Sequence, residues 1–473
     1  MNMVATPLNW ERLMSPWRRR DPTDRPRVFD GIRTEHERDN DRILFSAPVR
    51  RLADKTQVFP LDEDDSVHTR LTHSHEVSNL ARSIGVNLAF NHNVFPGEVV
   101  PQRNVPAVLA AAGLAHDLGN PPFGHQGEAS IQEWFEKNEA AVFPAECGLS
   151  EAMRQDFLRF EGNAQTLRLL TRLQILNDDY GLNVTCGTLA TLMKYAVGSS
   201  IATKGERLAG RRKPGYFQSE RGVVEEIWRE TGLEEGLRHP LTYVMEASDD
   251  IAYCVIDTED AVKKGLVSYQ DVVAFIRDEC GPDTLARRVT EKSEGRYTEY
   301  RKQNLSPAEL NDLSMQMFRV DAMSEMVPAV TATFVANLDA LMRGRFEDDL
   351  IAHSSAASLC EALKKFDQRH AYQHESVRRI ELLGHTTIHG LMDLLWSAIT
   401  NRATTAKLGS ARKTPFDAYV YSRISENYRR IFEDPTNAMP TRYKEAQLLT
   451  DMVSGMTDQF ALDLLEKLRR YAS

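Results

Sequence analysis

The chain has 473 residues, 42% hydrophobic and 27% charged, with 58 Lys and Arg against 68 Asp and Glu for a formal net charge of −10. That apolar content excludes a disordered chain and suffices for one large core or two modest ones, while the ordinary Gly (26) and Pro (20) counts exclude collagen-like and low-complexity classes. The acidic balance argues against a surface given over to nucleic acid, whose binding rests on clustered Lys and Arg, but it leaves room for a local basic cleft.

From the N-terminus, the first twenty residues are polar, carry Trp17-Arg18-Arg19-Arg20 and lack an apolar run of signal-peptide length. No later window approaches a membrane span, so a soluble, non-secreted protein with no membrane partner is expected. Five cysteines (Cys147, Cys186, Cys254, Cys280, Cys360), odd in number and without a C-x-x-C pair, predict the reduced thiols of a cytoplasmic protein rather than a disulfide framework or zinc ribbon.

Helical periodicity dominates. Leu80, Ala81, Ile84 and Leu88 recur at helix-face spacing, as do Val105, Val108, Leu109, Ala112 and Ala115 around Pro106. Stretches 161–176, 222–228, 243–264, 329–342, 357–366, 377–400 and 444–471 repeat the pattern. Ser306-Pro307-Ala308-Glu309 is a capping box that predicts a helix start. Segments 198–215 and 291–304 read as surface excursions, and no 20–50-residue repeat is present. An all-α protein is expected.

Four segments carry ionisable groups in unusual settings. His73 lies on the helix whose apolar face is Leu80, Ile84 and Leu88, although a helical histidine alone is more often a satisfied or solvated residue than a ligand. His116-Asp117 ends an almost wholly apolar helix at a Gly-Asn-Pro-Pro break, delivering two ionisable groups to the end of a buried element. An unpaired carboxylate buried there costs several kcal/mol, and a divalent cation is the simplest resolution; an exposed helix end is the plainer alternative. Asp249, Tyr253 and Asp257, spaced i, i+4 and i+8, fall on one stripe of a helix apolar nearly all round and therefore buried. Asp250 projects about 100° away and reads as an orienting or structural acid. His125 and Glu128, three apart after Pro-Pro-Phe-Gly, have the form of a base and its orienter, weak evidence alone. Lys194-Tyr195 offers a cation and a phenol to a phosphate, as any exposed Lys-Tyr pair would.

The order His73, His116-Asp117, Asp249 resembles the signature of HD-domain metal-dependent phosphohydrolases. The flanks are closer to one branch. Arg70-Leu71-Thr72-His73-Ser74, the run from His116 to His125, Phe160-Glu161-Gly162-Asn163-Ala164-Gln165, Lys194-Tyr195, Asp249-Asp250-Ile251-Ala252-Tyr253, Ser454-Gly455-Met456-Thr457-Asp458 and, upstream, Asp54 to Pro60 are similar to the bacterial deoxyguanosine triphosphate triphosphohydrolases (dGTPases). The likeness runs from about residue 40 to 465.

The resemblance implies an HD-domain helical core with a packed helical C-terminal lobe: an N-terminal segment 1–40, a catalytic core 41–275, a polar helical connection 276–325, and a lobe 326–473 contributing to the nucleotide site and oligomer contacts. It implies hydrolysis of dGTP, or of a broader set of dNTPs, at the α-phosphorus to a deoxynucleoside and inorganic triphosphate. His73, His116, Asp117 and Asp249 would hold one divalent metal ion, Mn or Mg foremost, with Fe, Ni and Zn also compatible with the set. His125, oriented by Glu128, would handle a proton at the leaving 5′ oxygen or at the attacking water. Gln57 and Asp257 would read the 3′-hydroxyl, Tyr253 would pack against the sugar, Arg70, Lys194 and Tyr195 would contact the triphosphate, and Asn163 would position the catalytic histidine.

Asn120 stands where many HD phosphohydrolases have a second histidine, which suggests one metal rather than two. His75, Ala196 and Ser248 also depart from the pattern without removing a ligand. Base recognition would fall to the C-terminal lobe, around Glu381 and Arg423. Relatives form symmetric hexamers, so a homo-oligomer is implied. A different class of function, single-stranded DNA binding beside or instead of catalysis, would use Arg18, Arg19 and Arg20 and the basic stretch 204–213; solvated loops are the plainer reading.

Overall fold

The computed structural model describes residues 7–20, 32–58, 67–98, 100–174 and 179–472. Phe59 and Pro60 of the upstream motif, and residues 175 and 176 of an expected helix, lie outside them. The described residues form twenty-two α-helices and no β-strand, with isolated bridges at Thr56 with Thr69, Gly198 with Tyr216 and Arg402 with Arg412. The all-α expectation holds, and no described helix is long and apolar enough to cross a membrane.

Ten helices position the site: α1 (Arg70–Asn91), α2 (Pro101–Ala115), α3 (Gly124–Lys137), α4 (Gly162–Arg168), α5 (Cys186–Leu192), α6 (Pro240–Lys263), α7 (Ala357–His370), α8 (Glu375–Thr400), α9 (Thr441–Ser454) and α10 (Asp458–Arg469). Thr69 caps α1, its hydroxyl accepting the N–H of Thr72 while the Thr72 hydroxyl accepts that of Thr69. The Ser306 capping box starts the helix Pro307–Ala336, as its sequence predicts.

Two expectations change. Segment 291–304 is a helix rather than a loop as far as Tyr300, the latter part of Thr284–Tyr300; within it Ser293 alone is buried, while Leu285, Ala286 and Val289 anchor the preceding turns. Apolar residues at that sparse spacing suffice when a neighbouring helix covers them. Stretch 444–471 breaks at 455–457, where the Thr457 side chain caps the next helix by accepting the Phe460 N–H; the break puts Asp458 at the start of α10.

Two apolar cores result. The first joins α1, α2, α5, α6 and α7 through residues such as Ile84, Leu109, Leu189, Val255 and Phe366. The second joins α3 to α8, α9 and α10 through Ile131, Phe135, Leu391, Leu449 and Leu465. The chain therefore crosses from the first core to the second between His116, at the end of α2, and His125, at the start of α3.

Polar ties close this seam. Arg168, buried at the end of α4, lies 2.7 Å from Asp451 on α9 and 2.6 Å from Glu220. Removing one member of such a buried network costs about 3–5 kcal/mol, since it strands a charge. Lys55 donates to the carbonyls of Asn120 at 2.6 Å and Ser454 at 2.8 Å, and burial lowers its pKa to about 7. The five cysteines are unpaired.

Candidate metal centre

The close approach of α1 and α2 starts at a glycine. A Cβ on Gly113 would stand 2.8 Å from Ser78 Cα, closer than atoms tolerate, so only glycine lets the two backbones touch there. His73 and His116 flank this crossing, and their ring centroids lie 5.4 Å apart.

His116 Nδ1 is 2.7 Å from the Gly113 carbonyl. A carbonyl only accepts, so Nδ1 carries a hydrogen and Nε2 is the nitrogen turned toward the carboxylates, able to coordinate an ion once deprotonated. That Nε2 is buried without a hydrogen-bond partner, 3.5 Å from Asp249 Oδ1 and 3.6 Å from Asp117 Oδ1. The same Asp249 oxygen is 3.2 Å from His73 Nε2. One ligand atom from each of His73, His116 and Asp117 lies within 4.8 Å of the others. An orphaned imidazole nitrogen beside two carboxylates is what a cation satisfies, and two nitrogens with two oxygens suit a divalent ion.

The set is held from behind. Arg70 Nη1 donates to Asp117 Oδ2 at 2.5 Å, and Asn120 Nδ2 donates to Asp117 Oδ1 at 2.6 Å, so the residue at the second-histidine position orients a carboxylate. Lys194 Nζ is 3.7 Å from Asp249 and 3.6 Å from Glu246, which in turn pairs with buried Arg238 at 2.6 Å. Burial works against the Lys194 cation, but Glu246 and Asp249 outweigh it and raise its pKa. Burial likewise opposes charge on His116, yet Asp117 and Asp249 lift it to about 9. Asp117 falls to about 2 despite its burial, under His116 and Arg70. Two carboxylates thus stay ionised in a confined space.

His125 begins α3 after Phe123, whose backbone is left-handed (φ 62°). Its ring is exposed, with Nδ1 3.3 Å from Glu128 Oε2. Glu128 is buried and accepts the Gly162 N–H at 2.6 Å on its other oxygen. The hydrogen bond and charge of Glu128 raise the His125 pKa. Asn163 donates to Glu161 at 2.7 Å, so the hydrogen bond that holds His125 comes from Glu128. Glu161 also pairs with Lys213 at 2.9 Å, which places a second cation 5.9 Å from the centre of the Tyr195 ring.

Farther along α6, Asp257 is buried and accepts the Tyr372 hydroxyl at 2.6 Å on Oδ2, while Oδ1 has no partner. Burial pushes the Asp257 carboxyl well above its usual range. Tyr253, one turn back and half-buried, has its ring 6.3 Å from that of Tyr372. Gln57 Oε1 is a further buried acceptor without a partner. Asp250 pairs with Lys364 of α7 at 2.5 Å, the structural role expected of it. Arg423 lines a cavity of about 280 Å³ with Arg51, Tyr428, Met456 and Phe460, to which none of the four metal-set residues contributes; Glu381 lies on α8 and does not line it.

Sequence reading missed Tyr372, the ties made by Lys55 and the Arg238–Glu246 pair. Lys55 and Asp458 lie inside quoted motifs, the signal that could have found them. The basic stretches divide: Arg18 is buried against Glu35 and Asp39 and Arg19 pairs with Glu226, whereas in 204–213 Lys204 and Arg207 are exposed and Arg212 pairs with Asp348 at the surface.

The HD domain family matches residues 70–156. A deoxyguanosinetriphosphate triphosphohydrolase-like protein of Listeria innocua is 35% identical over 98% of this chain and 99% of its own length. Deoxyguanosinetriphosphate triphosphohydrolases of Enterobacter sp. (strain 638) and Yersinia pseudotuberculosis are 30% and 31% identical, covering 98% and 91% of this chain and 97% and 93% of theirs. The chain belongs to the deoxyguanosinetriphosphate triphosphohydrolase family. Within this family assignment, the HD match spans α1 to α3 and so takes in His73, His116, Asp117, His125 and Glu128; Asp249 lies outside it and is delivered by α6. The near-complete coverage extends the dGTPase relationship to the helices of residues 326–473.

Proposed function

We propose that this chain is a metal-dependent dGTP triphosphohydrolase that cleaves at the α-phosphorus, releasing deoxyguanosine and intact inorganic triphosphate. One observation carries the reading beyond family membership: the orphaned His116 Nε2 faces Asp249 and Asp117, while an exposed His125 held by Glu128 opens the next helix. His73, His116, Asp117 and Asp249 would hold the ion, Mn or Mg in this reading. When bound, it lowers the pKa of a water and neutralises charge developing at the α-phosphate.

With Nδ1 turned to Glu128, Nε2 of His125 is the atom that exchanges a proton. The raised pKa favours the protonated ring, which suits a general acid for the departing 5′ oxygen. Lys194, Tyr195 and the remaining N–H groups of Arg70 bind the triphosphate, with Lys213 as an added cation. The 3′-hydroxyl donates its one hydrogen to the unpartnered Gln57 Oε1 and accepts from Asp257 Oδ1, whose carboxyl burial keeps toward the protonated form, and Tyr253 occupies the space a 2′-hydroxyl would need. Asn163 steadies Glu161 and, through it, Lys213.

By resemblance the chain acts in the cytoplasm as a homo-oligomer. Single-stranded DNA binding is not part of this reading: Arg18 and Lys213 are engaged with the buried carboxylates of Asp39 and Glu161, and Arg19 and Arg212 with Glu226 and Asp348. Incubation with each dNTP and with GTP, plus Mn²⁺ or Mg²⁺, tests it: dGTP should yield triphosphate fastest, GTP should be spared, and His116→Ala should abolish turnover. Pyrophosphate or orthophosphate as the product would reject it.

A further inference from the structure

A second group of metal-capable side chains stands where α3 meets α8, apart from the catalytic turn. Glu133 lies on α3 about two turns beyond His125, and His385 and His389 share one face of α8 at i and i+4. Glu133 Oε2 is 2.9 Å from His385 Nε2 and 3.9 Å from His389 Nε2. The two imidazole centroids are 4.2 Å apart, and one ligand atom from each of the three residues lies within 4.8 Å of the others.

His389 Nε2 is buried and has no hydrogen-bond partner, a cost that a bound cation would remove. The surroundings fix the geometry. Trp134, next to Glu133, donates its indole N–H to Asp393, one turn past His389, at 2.7 Å. Gly384, next to His385, packs so tightly that a Cβ there would stand 2.7 Å from Phe123 Cγ. Lys137 engages the other Glu133 oxygen at 2.5 Å, leaving Oε2 for the rings. The Glu133 side chain is 42% exposed, so water can reach the remaining coordination positions.

We propose that Glu133, His385 and His389 form a second metal site that takes a borderline transition ion such as Zn²⁺ and clamps α3 to α8. Two imidazoles and one carboxylate are a zinc-type donor set, whereas Mg²⁺ demands a mostly oxygen shell. The clamp fixes the helix that carries His125 and Glu128 against the second core. The assignment is independent of the substrate proposed above.

The test uses the full chain stripped of metal, in a His116→Ala background that disables the catalytic set. Calorimetric titration with Zn²⁺, and visible absorption with Co²⁺, should report one equivalent per chain. His385→Gln and His389→Gln should each weaken Zn²⁺ binding about 100-fold, and millimolar Mg²⁺ should not compete. Equal affinity in the His389→Gln chain, or no Zn²⁺ binding by its parent, overturns the site. If His116→Ala does not fold by circular dichroism, the same titration compares the unsubstituted chain with His389→Gln: two equivalents against one supports the proposal, and equal stoichiometry rejects it.

Discussion

Asp458 accepts the backbone N–H of Phe123 on Oδ1 at 2.9 Å, across 335 residues of sequence. Its Oδ2 accepts the Thr56 N–H at 3.0 Å and the Thr56 hydroxyl. One carboxylate at the start of α10 therefore fixes both the left-handed turn before His125 and the segment carrying Gln57. A non-glycine residue held left-handed costs about 1–2 kcal/mol, which these bonds offset. Asp458→Ala should lower unfolding free energy by about 2–3 kcal/mol in urea melts. It should also lower kcat for dGTP more than Asp458→Asn, which keeps one acceptor. Equal kcat in the two variants would contradict this role.

The Gly113 crossing makes a separate prediction. Gly113→Ala forces a Cβ against the Ser78 backbone, so α1 and α2 must part and His73 must shift from His116. Overpacking of this kind costs about 1–3 kcal/mol. Calorimetry should show Mn²⁺ affinity reduced along with stability, whereas Gly222→Ala, with open space around it, should change neither.

For His125 the sign follows from its partner. Glu128 raises the imidazole pKa, so Glu128→Gln should lower it. The form active as a general acid is then lost at lower pH, and the alkaline limb of the kcat profile moves down. Loss of a positioned acid costs about 100-fold or more, which His125→Ala should show directly. An alkaline limb unmoved in Glu128→Gln would rule out this pairing.

In the proposed reading the sugar 3′-hydroxyl is held by two buried oxygens that lack protein partners, Asp257 Oδ1 and Gln57 Oε1. A site built to hydrogen-bond a hydroxyl rejects an analogue without it by about 10⁴-fold, because its polar groups are left unpaired. Dideoxy-GTP should therefore show a large fall in kcat/KM, and Asp257→Asn and Tyr372→Phe should narrow the difference from dGTP. Tyr253→Ala should admit GTP. Comparable kcat/KM for dGTP and its dideoxy analogue in the unsubstituted chain would refute the assignment.

The cluster of His73, His116, Asp117 and Asp249 was legible in the sequence because its signals are local. Two ionisable residues ending the apolar helix α2, and the carboxylate stripe on α6, violate burial rules within a few residues of themselves. Periodicity likewise gave the long apolar helices, but not shorter or more polar ones such as Glu35–Leu44, Gly124–Lys137, Tyr269–Cys280 and Thr284–Tyr300, in the last of which the apolar residues are too few to stand out. Tyr372, Lys55 and the Asp458 bridge were hidden for a different reason: each acts on a partner between 65 and 402 residues away. Arg238 and Glu246 are only eight apart, yet their reach to Lys194 depends on how α6 packs beside the turn after α5. Such contacts are fixed by tertiary packing, which no single segment encodes.

The central claim is attack at the α-phosphorus in a metal site built from His73, His116, Asp117 and Asp249. Hydrolysis of dGTP in ¹⁸O-labelled water with Mn²⁺, read by mass spectrometry of both products, tests it most directly. Attack at phosphorus places one ¹⁸O in inorganic triphosphate and none in deoxyguanosine; label in the deoxyguanosine 5′ oxygen, or dGMP with pyrophosphate, would rule it out.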